Sequence, residues 1–229
     1  MIIGVIGAME QEVMLLSKQL AKLNIWQQAR CNIYSGWLHG KKVVLVQSGI
    51  GKVSAALGCT LLLTNFEATL VINIGSAGGL SPALAVGDII VSEEVQYHDV
   101  NVTAFGYDKG QMAQYPLLFP ASPSLVALTK QLTEHTNINV VCGQIISGDI
   151  FINGGQELYK LKRRFPQAIA VDMEVTAIAQ ICYLFAVPFV GIRVITDIAD
   201  SVSHKSFKDN LITVVSHLSL LVSDIIQAL

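Results

Sequence analysis

The chain has 229 residues, 52% of them apolar and only 14% charged, with a formal net charge of −2. So low a charge density implies a large core and a buried interface, and the near-neutral balance gives no electrostatic reason to expect nucleic acid or an anionic membrane as partner. The length suits one domain spanning residues 1–229.

From the N-terminus, the apolar run 2–6 predicts a strand over 2–7. Met9, Val13, Leu16 and Leu20 then recur at one-face helical spacing and predict a helix over 9–22. Strands over 31–38 and 42–48 are joined by His39-Gly40-Lys41, a short hairpin-type link. A helix over 51–65 leads to a strand over 69–75 that is almost continuously apolar, the mark of a central strand covered on both faces. After a strand over 88–97 comes the least regular stretch, 98–121, aromatic and low in charge, the composition of an interface core. The remainder alternates: helix 122–134, strand 138–147, helix 155–164, strand 168–173, helix 174–186, strand 188–196 and helix 208–228. That alternation predicts an α/β layer fold.

Stretch 211–229 is apolar but interrupted by Ser216, His217, Ser219, Ser223 and Asp224, so it reads as an amphipathic core helix and no membrane span is expected. The N-terminus lacks a basic region and meets Glu10 too soon for a signal peptide. Cys31, Cys59, Cys142 and Cys182 form no CxxC pair, which suits free thiols in a reducing cytoplasm. The five histidines have no ligand spacing, so no protein-bound metal is expected, and no cofactor is expected.

Three acids interrupt segments that otherwise read as core: Glu12 on the first helix, Glu174 after the run 168–173, and Asp197 after the run 189–196. Desolvating a carboxylate costs on the order of several kcal/mol, so buried acids are paired or functional. Each has an ordinary explanation: Glu174 could cap a helix, Asp197 a loop, and Arg193, inside a strand pattern, could pair with one of them. One arginine cannot neutralise all three, and jointly they mark a site. Two glycine-bearing segments follow strands. Residues 74–79, with Ser76 and Gly78, could let the backbone approach a ligand, and 147–154 offers Phe151 and Ile152 as a wall for a flat ring. Residues 74–79 fit neither the Walker spacing nor the full dinucleotide fingerprint.

In these segments, and in Ser48-Gly49-Ile50-Gly51-Lys52, Val102-Thr103-Ala104-Phe105-Gly106-Tyr107, Asp172-Met173-Glu174 and Thr196-Asp197, the chain resembles the bacterial 5′-methylthioadenosine/S-adenosylhomocysteine nucleosidases of the purine nucleoside phosphorylase superfamily. The resemblance spans essentially the whole length. It implies a three-layer α/β sandwich with a mixed, partly barrel-like sheet, and hydrolysis of the N-glycosidic bond of methylthioadenosine and S-adenosylhomocysteine, with 5′-deoxyadenosine as a further substrate. By position, Asp197 would protonate adenine N7 and Glu12 would activate water. Glu174 would hold the ribose hydroxyls with Met173 against the sugar, and Ser76 and Arg193 would support the water and ribose side. Phe151 would stack on adenine, Ile152 would bond it through its backbone, and Gly78 counts among the binding residues. Met9, Ile50 and Phe207 would line the 5′-thio pocket, completed by Val102, Phe105 and Ala113 of a second subunit, so a homodimer is implied. Asp197 should then hold a proton near neutral pH, Glu174 should be ionised, and Glu12 should stand ready to accept one.

Some residues depart from the family pattern. Asp172 stands for the usual Glu, Thr196 for Ser, Ile150 for Ala, Asn101 for Asp, and Ala113 for a frequent Pro. They are expected to tune rate or specificity. The closest rival is a nucleoside phosphorylase, which would need cations around its phosphate. A non-catalytic adenine-nucleoside binder is a second rival, which would not need both an acid and a base.

Overall fold

The computed structural model describes residues 1–134, 138–199 and 203–229. Its strands are β1 (Ile2–Gly7), β2 (Ala21–Gln28), β3 (Cys31–Leu38), β4 (Lys41–Gln47), β5 (Leu70–Gly79), β6 (Ile89–Tyr97), β7 (Phe119–Pro120), β8 (Val140–Ser147), β9 (Ala168–Asp172) and β10 (Phe189–Asp197). Its helices are α1 (Glu10–Ser17), α2 (Lys52–Phe66), α3 (Pro123–Thr133), α4 (Gly155–Arg164), α5 (Val175–Phe185) and α6 (Ser203–Ala228).

One mixed sheet runs β2-β3-β4-β1-β5 and then closes on itself. β5 pairs with β10 and with β9, while β10, β6, β8 and β9 pair in turn, so five strands form a small barrel. Helices α2 and α5 pack together over one face, and α1, α3 and α6 over the other. Alternate strand residues feed the two layers: Ile3, Val5, Ile72, Val190 and Ile192 face the α1/α3/α6 side, and Ile6, Val71 and Ile195 face the α2/α5 side. This is the layered, partly barrel-like α/β architecture expected.

The long C-terminal helix buries Leu211, Val215, Leu218, Leu221, Val222, Ile225 and Ile226, as the apolar spacing required. Lys41 Nζ donates to the Ile226 and Gln227 carbonyls at 2.9 and 2.7 Å, satisfying acceptors the helix end would leave open. No helix among the described residues is long and apolar enough to cross a membrane. The four cysteines are free thiols.

Three local expectations needed correction. The first helix stops at Ser17, not residue 22, and residues 21–28 form the edge strand β2, paired antiparallel to β3. Almost all of β2 is solvent-exposed, so it carries no alternation. Its turn, Ala29-Arg30, holds both residues at positive φ (48° and 66°) without glycine. The next turn, His39-Gly40, has the same geometry (φ 49° and 76°) and the expected glycine. Second, residues 74–79 are no loop: β5 continues to Gly79, with Gly75 opposite Arg193 and Gly78 opposite both Val171 and Asp197. Third, the last helix begins at Ser203, before the predicted residue 208. The stretch 98–121 is irregular apart from a single 3₁₀ turn, Thr103–Phe105, and the two residues of β7.

Candidate active site

At the ends of β1, β5, β9 and β10 lies a cavity of about 220 Å³. All three suspect acids line it, each buried at 9% exposure or less. They reach it by different routes.

Glu12 sits in the first turn of α1. Its Oε2 accepts the backbone N–H groups of Ala8 (2.8 Å) and Met9 (2.9 Å), and its Oε1 accepts the Ser76 N–H (3.0 Å) and hydroxyl (3.1 Å). The carboxylate thus closes a helix N-terminus, where the helix dipole and orphan donors favour negative charge. The glycines of β5 have their reason here. A Cβ at Gly75 would stand 3.1 Å from Glu12 Oε1, and one at Gly78 would stand 3.2 Å from Asp197 Oδ1. The strand leaves room for two acids to lie against it.

Asp197 ends β10 at a register shift between Ile195 and Asp197. Such an irregularity re-aims side chains. Thr196, inside the shift, donates its hydroxyl to Asp197 Oδ2 at 3.1 Å, and the Ala199 N–H donates to Oδ1 at 2.9 Å.

Glu174 immediately precedes α5. The Gly51 N–H donates to its Oε1 at 2.7 Å. Burial, first, and then the neighbouring Asp172 carboxylate push the Glu174 carboxyl up to about 8, with Glu12 adding to the rise and the Gly51 N–H and Arg193 opposing it. The expectation that Glu174 is ionised near neutral pH is therefore corrected for the unliganded site: a carboxyl in so desolvated a place, next to another carboxylate, holds its proton.

Arg193 is also corrected. It is fully buried and does not line the cavity. Its Nε and Nη2 donate to Asp172 Oδ2 at 3.1 and 2.7 Å, Nη2 donates to the Asn73 side-chain oxygen at 2.5 Å, and Nη1 donates to the Asn73 and Ile192 carbonyls. All its polar capacity is directed inward, so it supports the floor of the site. It pairs with none of the three suspect acids. Asp172 in turn accepts the Ser147 hydroxyl (2.6 Å) and the Val175 N–H (2.9 Å), which pins the start of α5 and with it Glu174.

Met9, Ile50, Ser76, Gly78, Phe151, Ile152, Met173 and Phe207 all line the same cavity. The Phe151 and Phe207 rings meet edge to face with centroids 6.2 Å apart. Val102, Phe105 and Ala113 do not line it, and Phe105 is 81% exposed. The sequence reading missed Ala8, Ala77 and Val171 as wall residues, and saw Ile150, Asp172 and Thr196 only as departures from a pattern. All six line the cavity; each is a chain neighbour of an assigned residue or lies across a strand pair from one, which is the signal that could have found them. No Lys or Arg is among the described residues of the wall, and no group of three or more His, Cys, Asp or Glu among the described residues is placed to hold a metal ion.

An apolar slot with a separate carboxyl at each of three positions can take a flat ring, a polyhydroxyl ring and an apolar tail, and can both give and accept a proton. The family model of the phosphorylase superfamily matches residues 2–227. Among solved structures, the 5′-methylthioadenosine/S-adenosylhomocysteine nucleosidase from Neisseria meningitidis in complex with methylthio-immucillin-A superposes with a TM-score of 0.97 at 40% identity, covering 100% of this chain and 99% of that one. The nucleosidase from Colwellia psychrerythraea 34H in complex with adenine gives 0.95 at 43% identity over 98% and 94% of the two chains. S-adenosylhomocysteine nucleosidase from Streptococcus pyogenes in complex with 5-methylthiotubericidin gives 0.97 at 36% identity over 100% and 97%.

Proposed function

The chain belongs to the phosphorylase superfamily, and on that premise we propose that it is an N-glycosyl hydrolase that releases adenine from 5′-methylthioadenosine and S-adenosylhomocysteine, and from 5′-deoxyadenosine. The observation that carries this reading is the cavity itself: the carboxyls of Glu12, Glu174 and Asp197 in three environments, with the fourth acid of the lining, Asp172, bonded to Arg193, apolar walls, and no cation among the described residues of the lining. A phosphorylase would have to bind a phosphate dianion beside Glu12, and Arg193, the nearest guanidinium, is already bonded to Asp172.

In this mechanism Asp197 gives its proton to adenine N7 as the C1′–N9 bond breaks, so that the base leaves neutral. The ribosyl group passes through an oxocarbenium-like state, as in other glycoside cleavages. Water adds its oxygen to C1′ and gives a proton to Glu12, whose carboxylate is held by the Ser76, Ala8 and Met9 donors. Glu174 accepts hydrogen bonds from the ribose hydroxyls. Those donors favour its ionised form, so substrate draws its pKa down from the value of about 8 in the empty site. Phe151 stacks on the purine, Ile152 bonds it through its backbone, and Met173 packs on the sugar. Met9, Ile50 and Phe207 hold the 5′-thio group, whose sulfur suits apolar and aromatic surroundings.

We further propose that the chain, as one catalytic domain, works as a cytoplasmic homodimer in methionine salvage. Support for the dimer is an exposed apolar surface around Ile50, Val53 and Leu57 of the α2 region, with Phe105 on the 98–121 segment. Patches of this kind mark protein interfaces. Val102, Phe105 and Ala113 would then complete the partner's 5′-thio pocket.

The test is kcat/KM for the three nucleosides in phosphate-free buffer, for the native chain and Asp197→Asn. The variant should lose adenine release by roughly 10²–10⁴-fold while still binding substrate. Unchanged release would show that Asp197 is not the acid.

A further inference from the structure

Beside the cavity, three chain segments are tied into a closed ring. Lys52 opens α2, and its Nζ lies 2.6 Å from Asp99 Oδ2 and 4.0 Å from Asp149 Oδ2. Its backbone N–H donates to Asp149 Oδ1 at 2.8 Å. The Asp149 N–H donates in turn to Asp99 Oδ2 at 3.0 Å. Each of the three residues therefore holds both others, and they come from the segments following β4, β6 and β8. The Tyr97 ring lies under the ammonium group, 5.4 Å from Nζ to its centroid.

None of the three lines the cavity, but their chain neighbours do: Ile50 on one side, and Ile150, Phe151 and Ile152 on the other. Between them sits Gly51, whose φ of +92° turns its N–H onto Glu174 Oε1. A Cβ at Gly51 would stand 3.0 Å from Asp149 Oδ1, so the Asp149 carboxylate packs directly on that turn. The arrangement differs from an ordinary surface pair such as Lys130–Glu93, whose side chains are both half-exposed. Burial pulls the Asp99 carboxyl upward, but the Lys52 ammonium and the Asp149 N–H outweigh it and hold it below its usual range. Asp99 Oδ1 is buried without a hydrogen-bond partner among the described residues. The charge is thus held by Lys52 and the Asp149 N–H through Oδ2 alone, at the cost of a buried, unpaired second oxygen, as expected of a group retained for position.

We propose that Lys52, Asp99 and Asp149 are positioning residues that hold the sugar-side loop (48–51) against the adenine-side loop (148–152) and so aim the Gly51 N–H at Glu174. This rests on the nucleosidase reading above. Besides that N–H from the α2 entry, the groups facing Glu174 are Asp172 from β9, Glu12 from α1 and Arg193 from β10. Losing the N–H leaves the others in place and makes the ionised form of Glu174 harder to reach. The pH dependence of activity should therefore report the ring.

Lys52→Met and Asp99→Asn test it, with Lys52→Arg as the conservative variant and Lys130→Met as the control. With methylthioadenosine, the first two should raise KM about tenfold and change kcat by less than about threefold, the pattern of lost binding geometry. The ascending limb of kcat/KM should also move to higher pH, Lys52→Arg should recover most of the loss, and Lys130→Met should match the native chain. Native-like constants and an unmoved limb in both variants would overturn the proposal. So would a pH-independent loss that Lys52→Arg does not rescue. If the native chain releases no adenine, the nucleosidase reading fails by itself. Hydrogen exchange then decides on the ring: the Gly51 and Asp149 amides must lose protection in Lys52→Met, and retained protection overturns it.

Discussion

Arg193 Nη2 lies 2.7 Å from Asp172 Oδ2, with both side chains buried. The pair makes the one embedded arginine of the site an internal support, leaves the cavity wall acidic, and caps α5 through Asp172 Oδ2, which accepts the Glu174 and Val175 N–H groups. It also explains how an Asp can serve at a position where the resemblance leads one to expect Glu: the short side chain already reaches Ser147, Arg193 and the first turn of the helix.

Arg193→Met should destabilise the fold strongly, by about 3–5 kcal/mol, because removing one member of a buried pair strands the other charge. Urea unfolding measures it. The double variant Arg193→Met/Asp172→Asn should be less destabilised than the sum of the two single changes, since the stranded charge is gone.

Glu174 makes stability depend on pH. Its folded-state pKa of about 8 stands above the ordinary 4.5, so native protein binds this proton more tightly than unfolded chain. The stabilisation is complete below about 4.5 and is lost as pH rises through 8. Glu174→Gln keeps an acceptor for the Gly51 N–H and has no proton to lose. Its Tm should exceed that of the native chain by an amount growing from pH 5 to pH 8, at roughly 2–4 °C per kcal/mol.

Glu12→Gln should cost both activity and stability. The native carboxylate accepts four donors, and an amide nitrogen facing any of them meets a second donor. We expect kcat to fall by roughly 10²-fold or more and stability by about 1–3 kcal/mol. Single-turnover kinetics and thermal unfolding separate the two effects.

The Ala29-Arg30 turn predicts a gain. Both residues hold left-handed backbone that L side chains resist. Replacing them with Asn-Gly, the pair suited to this turn, should stabilise the chain by about 1 kcal/mol, read from the urea midpoint, with adenine release unchanged.

What could be read without coordinates follows from burial. Central strands such as β5 and the helices α2 and α5 announce themselves because apolar spacing is enforced wherever a face is covered. The acids Glu12, Glu174 and Asp197 stood out for the complementary reason, as charges in those covered segments. β2 lies outside the core, so nothing enforced a pattern on it, and its turn lacked the usual glycine. The Gly75–Gly79 stretch looked like a loop because glycine marks turns more often than strands. At Gly75 and Gly78 the cause is tertiary, the carboxylates of Glu12 and Asp197 lying where side chains would be. The partnership of Arg193 with Asp172, and the pKa of Glu174 that Asp172 helps to raise, depend on which strands become neighbours. No local pattern encodes that choice.

The most direct test of the central claim is the source of the oxygen added at C1′. The native chain should cleave methylthioadenosine in ¹⁸O-labelled water without phosphate, giving adenine and a methylthioribose that carries one ¹⁸O, at a rate unaffected by added phosphate. Strict dependence on phosphate, with an unlabelled pentose 1-phosphate as product, would contradict hydrolysis by Glu12-activated water.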